Sequence, residues 1–337
     1  NVIGPSGPVD TELSVLAVRS KSGKPLAILA NYSMHYFNDQ PISSDYFSHF
    51  YKRFAERIGA PEGFVAIMSQ GTSGDLATLD YSRPKANEWT IEQYADGVAA
   101  SAERAFRTIR YKRWVPLGVA NSFVKFNRRL ANQARLDWAR EIVDKMGDRK
   151  PKNQPEVYAR EQLLIAADPH RELRLQAVRI GDLGISAIPN EVFALTGLKI
   201  KARSPFRKTF NVELANGAEG YIPPPEQHRL GGYTTWAARS AGLEMGAEPR
   251  IANEILTLLE NLAGKPRLVA KPNAVGLRKK ALRRKPVAYF PLDDMDGEEP
   301  LNIIPGGLAK ARLVPRFALY LGGQVEQSVQ FVGGWMN

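Results

Sequence analysis

Two strand-like segments joined by a turn lie near the start of the chain. Leu13–Arg19 and Pro25–Tyr32 are rich in β-forming residues and alternate in polarity, and Ser20–Lys24 between them has the composition of a turn. This pattern predicts a β-hairpin with a five-residue loop. The second strand ends just before His35, so we expect that side chain at a strand end.

A helix and a second kind of strand follow the hairpin. The spacing predicts a helix that begins at Ser43 or Ser44 and ends near Gly59, with apolar residues Phe47, Phe50, Phe54 and Ile58 on one face. Gly63–Met68 is a short apolar run typical of a buried strand, and it leads into the small-residue loop Gln70–Asp75. Strand, helix, strand and a glycine-rich loop predict an α/β fold, in which chemistry usually lies at the carboxyl ends of strands.

The same alternation continues to residue 264. The predicted helices are 91–109, 130–146, 156–166, 191 to about 204, and 250–262, and the predicted strands are 116–127, 173–180, 184–188 and 209–214. We therefore expect residues 1–264 to form one α/β domain, a mixed sheet with flanking helices.

Positive charge is concentrated after that domain. The chain has a net charge of +11, and residues 265–285 contain nine basic and no acidic side chains. This segment is interpreted as a solvated linker, with contact to an anionic surface as the alternative. It has no aromatic residues, so we expect no specific nucleic acid binding. Residues 286–337 contain several Gly-Gly pairs and predict a small β-rich unit.

Composition excludes several classes of protein. The chain has no cysteine, which excludes disulfides, thiolate metal sites and a cysteine nucleophile. No apolar run approaches the roughly 18 residues of a membrane-spanning helix, and no secretory signal is present. Because the first residue is Asn1, the start is interpreted as a processed end or a fragment boundary.

Four side chains are candidates for a hydrolytic site. His35 follows a strand, Glu191 opens a predicted helix after Pro189-Asn190, and Tyr221 lies in a glycine-containing loop. Asp75 ends the loop after the apolar strand. Each has an ordinary structural interpretation by itself, respectively packing, helix capping, loop anchoring and turn formation. Their spacing alone does not join them into one site.

The order of the motifs resembles the catalytic domain of neutral/alkaline, non-lysosomal ceramidases over residues 9–262. The hairpin leading to His35 is similar to the family's strand pair before a zinc-binding histidine, and 64–76 is similar to its segment ending in Gly-Asp. Ile188–Phe193 resembles its Pro-Gly-Glu-Phe motif, and Leu214–Pro223 resembles its Asn…Gly-Tyr loop.

The resemblance implies a zinc-dependent amide hydrolase that uses a metal-bound water, with His35, Glu191 and Tyr221 as zinc ligands. It also implies Asp75 as a residue that orients a ligand, Thr78 as a catalytic candidate, a lipid-like amide substrate, and a secreted or periplasmic location. The family's His-Thr-His motif would lie upstream of Asn1, which leaves the Zn²⁺ site incomplete in this chain.

Two positions differ from the family pattern. Ala77 stands where ceramidases have a catalytic serine, and Asn190 stands where they have glycine. The alternative is therefore a catalytically inactive, ceramidase-like binding or scaffold protein. Pro286–Asp296 also resembles the first strand of a LamG-type, concanavalin A-like jelly roll, which would make 286–337 a partial carbohydrate-binding-type unit.

Overall fold

The computed structural model describes residues 7–37, 39–40, 42–78, 89–268, 282–283, 285, 318–321 and 328–331. The chain divides into two compact units. One is Val9–Asp80 with Lys85–Arg267, and the other is Asn1–Pro8, Tyr81–Pro84 and Leu268–Asn337. In the latter, strands β10 (Ala318–Leu321) and β11 (Ser328–Phe331) pair antiparallel. The LamG-like stretch 286–296 and most of the basic segment lie outside the described residues.

The first sheet contains the predicted hairpin. Strands β1 (Ser14–Arg19) and β2 (Pro25–Tyr32) pair antiparallel, and β3 (Val65–Gln70) adds to β2 in parallel. The connection from β2 to β3 is helix α1 (Asp45–Ile58), beside which α2 (Ile91–Arg107) lies. These elements share an apolar core that includes Ile28, Tyr46, Phe50, Phe54, Ala95 and Ala99.

The prediction that residues 63–68 form a buried strand was wrong. β3 begins at Val65 and ends at Gln70, and the exposed fractions of Val65 and Ile67 are 50% and 54%. Successive side chains of a strand point to opposite faces, so Ala66 and Met68 pack against the core while Val65 and Ile67 lie on the other, uncovered face. An apolar run alone does not distinguish these two situations.

The second sheet has the order β4-β5-β6-β8. It is formed by β4 (Leu117–Asn127), β5 (His170–Ile180), β6 (Leu183–Ala187) and β8 (Lys208–Val212), with β6 and β8 parallel and the other pairs antiparallel. Helices α3 (Gln133–Met146) and α4 (Gln154–Ala167) connect β4 to β5. Helix α7 (Ala247–Ala263) packs on β4 and β5 through a core that includes Leu173, Leu175, Ile251, Ile255 and Leu259.

Hydrogen bonds join the two sheets where β2, β3 and β8 end. The Asn31 side chain donates to the carbonyl of Asn211 at 2.8 Å, and the Glu213 amide donates to the carbonyl of Gln70 at 3.1 Å. The carboxyl ends of these three strands therefore share one edge. Helices and mixed sheets in this arrangement confirm the predicted α/β class.

The helix predicted from Glu191 starts three residues later, so the placement of Glu191 in a helical turn was wrong. Glu191–Val192 forms the short strand β7, which pairs in parallel with β9 (Tyr221–Ile222), and helix α5 is Ala194–Arg203. The Glu191 amide donates to the carbonyl of Gly220 at 3.0 Å. A partner this distant in sequence holds the segment extended, which local helix signals do not reveal.

No helix in the described part of the chain has the length and apolar character needed to cross a lipid bilayer.

Candidate active site

Strands β7 and β9 bring Glu191 and Tyr221 side by side. The two residues are direct partners in the parallel register, which places their side chains on the same face. Tyr221 is buried, whereas Glu191 keeps part of its surface exposed. This pairing joins two of the predicted metal ligands, which are 30 positions apart in the sequence.

The Tyr221 hydroxyl has two hydrogen-bond partners. Its oxygen lies 3.1 Å from the hydroxyl of Tyr233, and the two rings meet edge to face with centroids 5.4 Å apart. Burial raises the pKa of Tyr221 above its ordinary value, and the hydrogen bonds with Tyr233 and Glu191 raise it further. Tyr221 is therefore a neutral hydrogen-bond donor beside the Glu191 carboxylate.

A glycine is required directly before Tyr221. Gly220 has φ +75°, in the left-handed region, and a Cβ atom there would lie 2.3 Å from the carbonyl oxygen of Ser240. Its own carbonyl accepts from the Glu191 amide and from the Asn190 side chain. Glycine at position 220 thus lets the backbone lie close to Ser240 while its carbonyl helps to pair β7 with β9.

The loop after β3 packs against Glu191 from the other direction. The Gly74 amide donates to the carbonyl of Val192 at 2.8 Å. A Cβ atom at Gly74 would lie 2.8 Å from the carbonyl carbon and oxygen of Glu191. The Gly-Asp sequence therefore lets the loop reach β7.

Glu213 hydrogen-bonds both to the loop after β3 and to strand β7. The sequence analysis did not predict it as a site residue. It lies one residue beyond β8 and is 3% exposed. Its carboxyl group accepts hydrogen bonds from the Ser73 amide at 3.1 Å and the Val192 amide at 2.8 Å, and lies 2.5 Å from the Ser73 hydroxyl. A lone carboxylate inside the predicted strand 209–214 was the available signal.

Burial also sets the protonation of Glu213. It raises the pKa of Glu213 to about 8, and the charge of Glu191 raises it as well, whereas the hydrogen bonds from Ser73 and Val192 lower it. Near neutral pH the protonated form therefore predominates. One carboxyl oxygen accepts from the Ser73 hydroxyl, and the other accepts from the two amides.

Asp75 supports a helix terminus. Its carboxylate accepts from the amide of Ala194, the first residue of α5, at 2.7 Å. Burial raises the pKa of Asp75 to about 6, although this hydrogen bond lowers it. The observed contact is that of a helix cap supplied from a distant loop.

Thr78 lines a cavity of about 460 Å³ between the first sheet and α2. Most of the wall is aromatic or aliphatic, including Leu13, Tyr32, Phe37, Trp89, Tyr94 and Val98. Gln93 and Ser101 add polar groups. A cavity with this lining can take an apolar chain or ring.

His35 lies just past β2, as predicted. Its ring stacks on Tyr36 with centroids 4.6 Å apart, and its Nδ1 atom is buried without a hydrogen-bond partner. The structure does not add His35 to the contacts of Glu191 and Tyr221. Within the described ranges, no three His, Asp or Glu side chains gather into a group that could hold a metal ion.

Comparison with known proteins gives structural neighbours only. No family model and no curated protein matches this sequence. The neutral ceramidase from Pseudomonas aeruginosa matches with a TM-score of 0.56 and 14% identity, over 77% of this chain and 48% of that one. A structure described as a ceramidase complexed with C2 matches with a TM-score of 0.55 and 15% identity, over 79% and 51%.

The chain has a ceramidase-like fold. It spans about half the length of these solved chains, from 48% to 51%. At 14–15% identity the likeness establishes the fold alone. The fold that the motif resemblance implies is thus confirmed, and the roles of the motif residues stay predictions.

The donor atoms on this ceramidase-like fold fit part of a metal site. Glu191 and Tyr221 present two neighbouring oxygen atoms, and the buried Nδ1 of His35 lacks the partner that such an atom normally has. Carboxylate and imidazole are ordinary zinc donors, and Tyr221 would offer a neutral hydroxyl oxygen. A closed site would need further ligands besides the Glu191–Tyr221 pair.

Proposed function

We propose that this chain carries the larger part of a ceramidase-like, zinc-dependent amide hydrolase, with His35, Glu191 and Tyr221 among the metal ligands. The observation that carries the proposal is the pairing of Glu191 and Tyr221 on β7 and β9 within a ceramidase-like fold. The set needs a further ligand. The family resemblance offers a His-Thr-His motif, which this sequence does not contain.

Each residue has a defined task in this proposal. A bound zinc ion would supply Lewis-acid polarisation of the scissile carbonyl. Glu191 and Tyr221 hold oxygen donors in place, and Glu213 fixes the backbone of β7 through Val192. Asp75 acts as a positioning residue, because its carboxylate holds the start of α5.

The cavity beside Thr78 supports the proposed substrate class. Its apolar and aromatic wall suits the hydrocarbon part of a lipid-like amide, and Thr78 would lie at the edge of the bound chain. A lipid amide from outside the cell suits a secreted or periplasmic enzyme, so export is part of the proposal.

The test uses full-length protein loaded with zinc and a fluorogenic short-chain N-acyl amide. Glu191→Gln should lose stoichiometric zinc and at least about a hundredfold in kcat/KM, a loss typical when a metal ligand or its support is removed. Glu219→Gln is the matched control, since Glu219 lies nearby but pairs with Arg171. Zinc content unchanged in Glu191→Gln would overturn the proposed ligand set.

A catalytically inactive binding or scaffold protein is the second candidate. Ala77 at the position of the family's serine favours it, as does the lack of a three-membered His/Asp/Glu group among the described residues. It predicts that full-length, zinc-loaded protein binds the amide probe without turnover.

Contact of residues 265–285 with an anionic surface is a further, separate proposal. Arg267 in this segment is already held by Glu260 at 2.6 Å, so it is not part of a free basic linker. Deleting residues 269–285 should abolish binding to phosphatidylserine vesicles. Unchanged vesicle binding would refute this role.

A further inference from the structure

A groove with aromatic walls lies beside the α3–α4 helical hairpin. It has a volume of about 560 Å³, and its lining includes side chains from α3, α4 and the loop that follows Tyr233–Thr235. Its lining includes Arg135, Trp138, Tyr158, Gln162 and Trp236. None of them belongs to the site formed by Glu191 and Tyr221.

Three aromatic rings form the walls of this groove. Tyr158 and Trp236 meet edge to face, with centroids 5.2 Å apart and an interplanar angle of 78°. The exposed fraction of Trp236 is 39%, so part of its indole stays open although the ring packs on Tyr158. An indole face open to a groove can stack on a flat or ring-shaped ligand.

Arg135 supplies the only charge of the described lining. Its guanidinium carbon lies 3.6 Å from the centroid of the Trp138 ring, so the group is held flat over the indole. No ion pair joins Arg135 to a carboxylate within the described part of the chain. Neighbouring Asp137 is bound by Arg140 at 2.6 Å and by Gln133 at 2.7 Å.

Gln162 adds an oriented acceptor. The residue is buried, and its Nε2 atom donates to the carbonyl of Ala237. That bond fixes the side-chain amide, whose Oε1 atom can accept a hydrogen bond from a ligand hydroxyl group.

We propose that this groove binds a small ring-bearing carboxylate that also carries a hydroxyl group. Arg135, held on Trp138 and without a carboxylate partner, pairs with the ligand carboxylate through two parallel N–H bonds. Trp236 stacks on the ring, and Gln162 accepts from the hydroxyl. A uronic acid and a phenolic acid share this chemistry, and the inference is independent of the proposed hydrolase activity.

Calorimetric titration of the full chain with two acids and their neutral counterparts tests the inference. The acids are D-glucuronate and 4-hydroxyphenylacetate, and the neutral counterparts are D-glucose and 4-hydroxybenzyl alcohol. At least one acid should bind with a dissociation constant of about 0.1 to 1 mM, as expected for ligands of this size. Its neutral counterpart should bind at least about tenfold more weakly, because the charge-assisted bonds are lost.

Two variants separate the groove from non-specific binding. Arg135→Gln should weaken the preferred acid at least about tenfold and leave the neutral counterpart unchanged. Arg140→Gln on the same helix is the matched control, because Arg140 pairs with Asp137 and does not line the groove. Absence of saturable binding by either acid would overturn the inference, as would equal affinity in Arg135→Gln and the parent protein.

Discussion

Replacing Glu213 with Gln tests how strongly a buried carboxyl group makes this fold depend on pH. Burial raises the pKa of Glu213 from 4.5 to about 8 in the folded protein. An acid with a raised folded-state pKa binds its proton more tightly in the folded chain than in the unfolded chain. The resulting stability is fully present below about pH 4.5 and is lost as the pH rises through about 8.

The geometry sets the size of the effect. A shift from 4.5 to about 8 corresponds to roughly 5 kcal/mol, at about 1.4 kcal/mol per unit. Local relaxation and water entry reduce such penalties, so we expect a loss of about 2 to 4 kcal/mol in the free energy of unfolding. In Glu213→Gln, the amide oxygen still accepts from Ser73 and Val192, and the amide nitrogen donates to the Ser73 hydroxyl. The variant should therefore match the parent at low pH.

The assay is urea unfolding of the parent chain, Glu213→Gln and the exposed control Glu62→Gln at three pH values from about 5 to 9. Asp75, whose pKa is raised to about 6, contributes equally in all three proteins. Above neutral pH, Glu213→Gln should become the most stable of the three. Parallel pH profiles for the parent and Glu213→Gln would refute the reasoning, as would a variant destabilised equally at every pH.

Three further substitutions test the backbone around the site. Gly220→Ala should lower the free energy of unfolding by more than about 3 kcal/mol in urea, since φ at this position is +75° and Ser240 blocks the new methyl group. Gly246→Ala is the control, because its methyl group would enter open space and should leave stability nearly unchanged. Arg129→Met removes donors to the carbonyls of Thr235, Ala241 and Leu243, so limited proteolysis should cleave 229–246 at least about tenfold faster. Asp75→Ala should cost about 1 kcal/mol through loss of the bond to the start of α5, measured by thermal unfolding.

Local sequence patterns predicted most of the helices and strands because those elements depend on their own residues. The hairpin of β1 and β2 needs only two alternating segments and a turn. Helix α1 needs only a spaced row of phenylalanines, and it was predicted to within about one residue at each end. The exposed residues of β3 were missed because an apolar run does not show whether both faces of its sheet are covered.

Segments held by distant partners could not be assigned in the same way. Glu191 follows Pro189-Asn190 and precedes a true helix, so a helical start is the natural local interpretation. Its extended conformation comes from Gly220 and from β9, which lie about 30 residues away. The helix begins only at Ala194, where the carboxylate of Asp75 is available to accept its first amide.

The structure places the predicted site residues in different surroundings. Glu191 and Tyr221 lie together, Thr78 lines the apolar cavity, and Asp75 holds a helix terminus. Glu213 was not predicted as a site residue because the loop that covers it, around Ser73, lies 140 positions earlier in the sequence. A carboxylate in a strand pattern has no special meaning until that loop covers it.

Glu213 and Glu191 together explain how two acidic groups can lie at one junction. Both carboxyl groups ionised would repel each other in a poorly solvated environment, and the charge of Glu191 indeed raises the pKa of Glu213. The buried Glu213 is the one that takes the proton, because burial raises its pKa to about 8 even though the hydrogen bonds from Ser73 and Val192 lower it. Glu191 keeps part of its surface exposed and hydrogen-bonds with Tyr221. The hydrogen bond from the Val192 amide to Glu213 holds β7 in place, so the residue that supports the site is also the one whose burial keeps it uncharged.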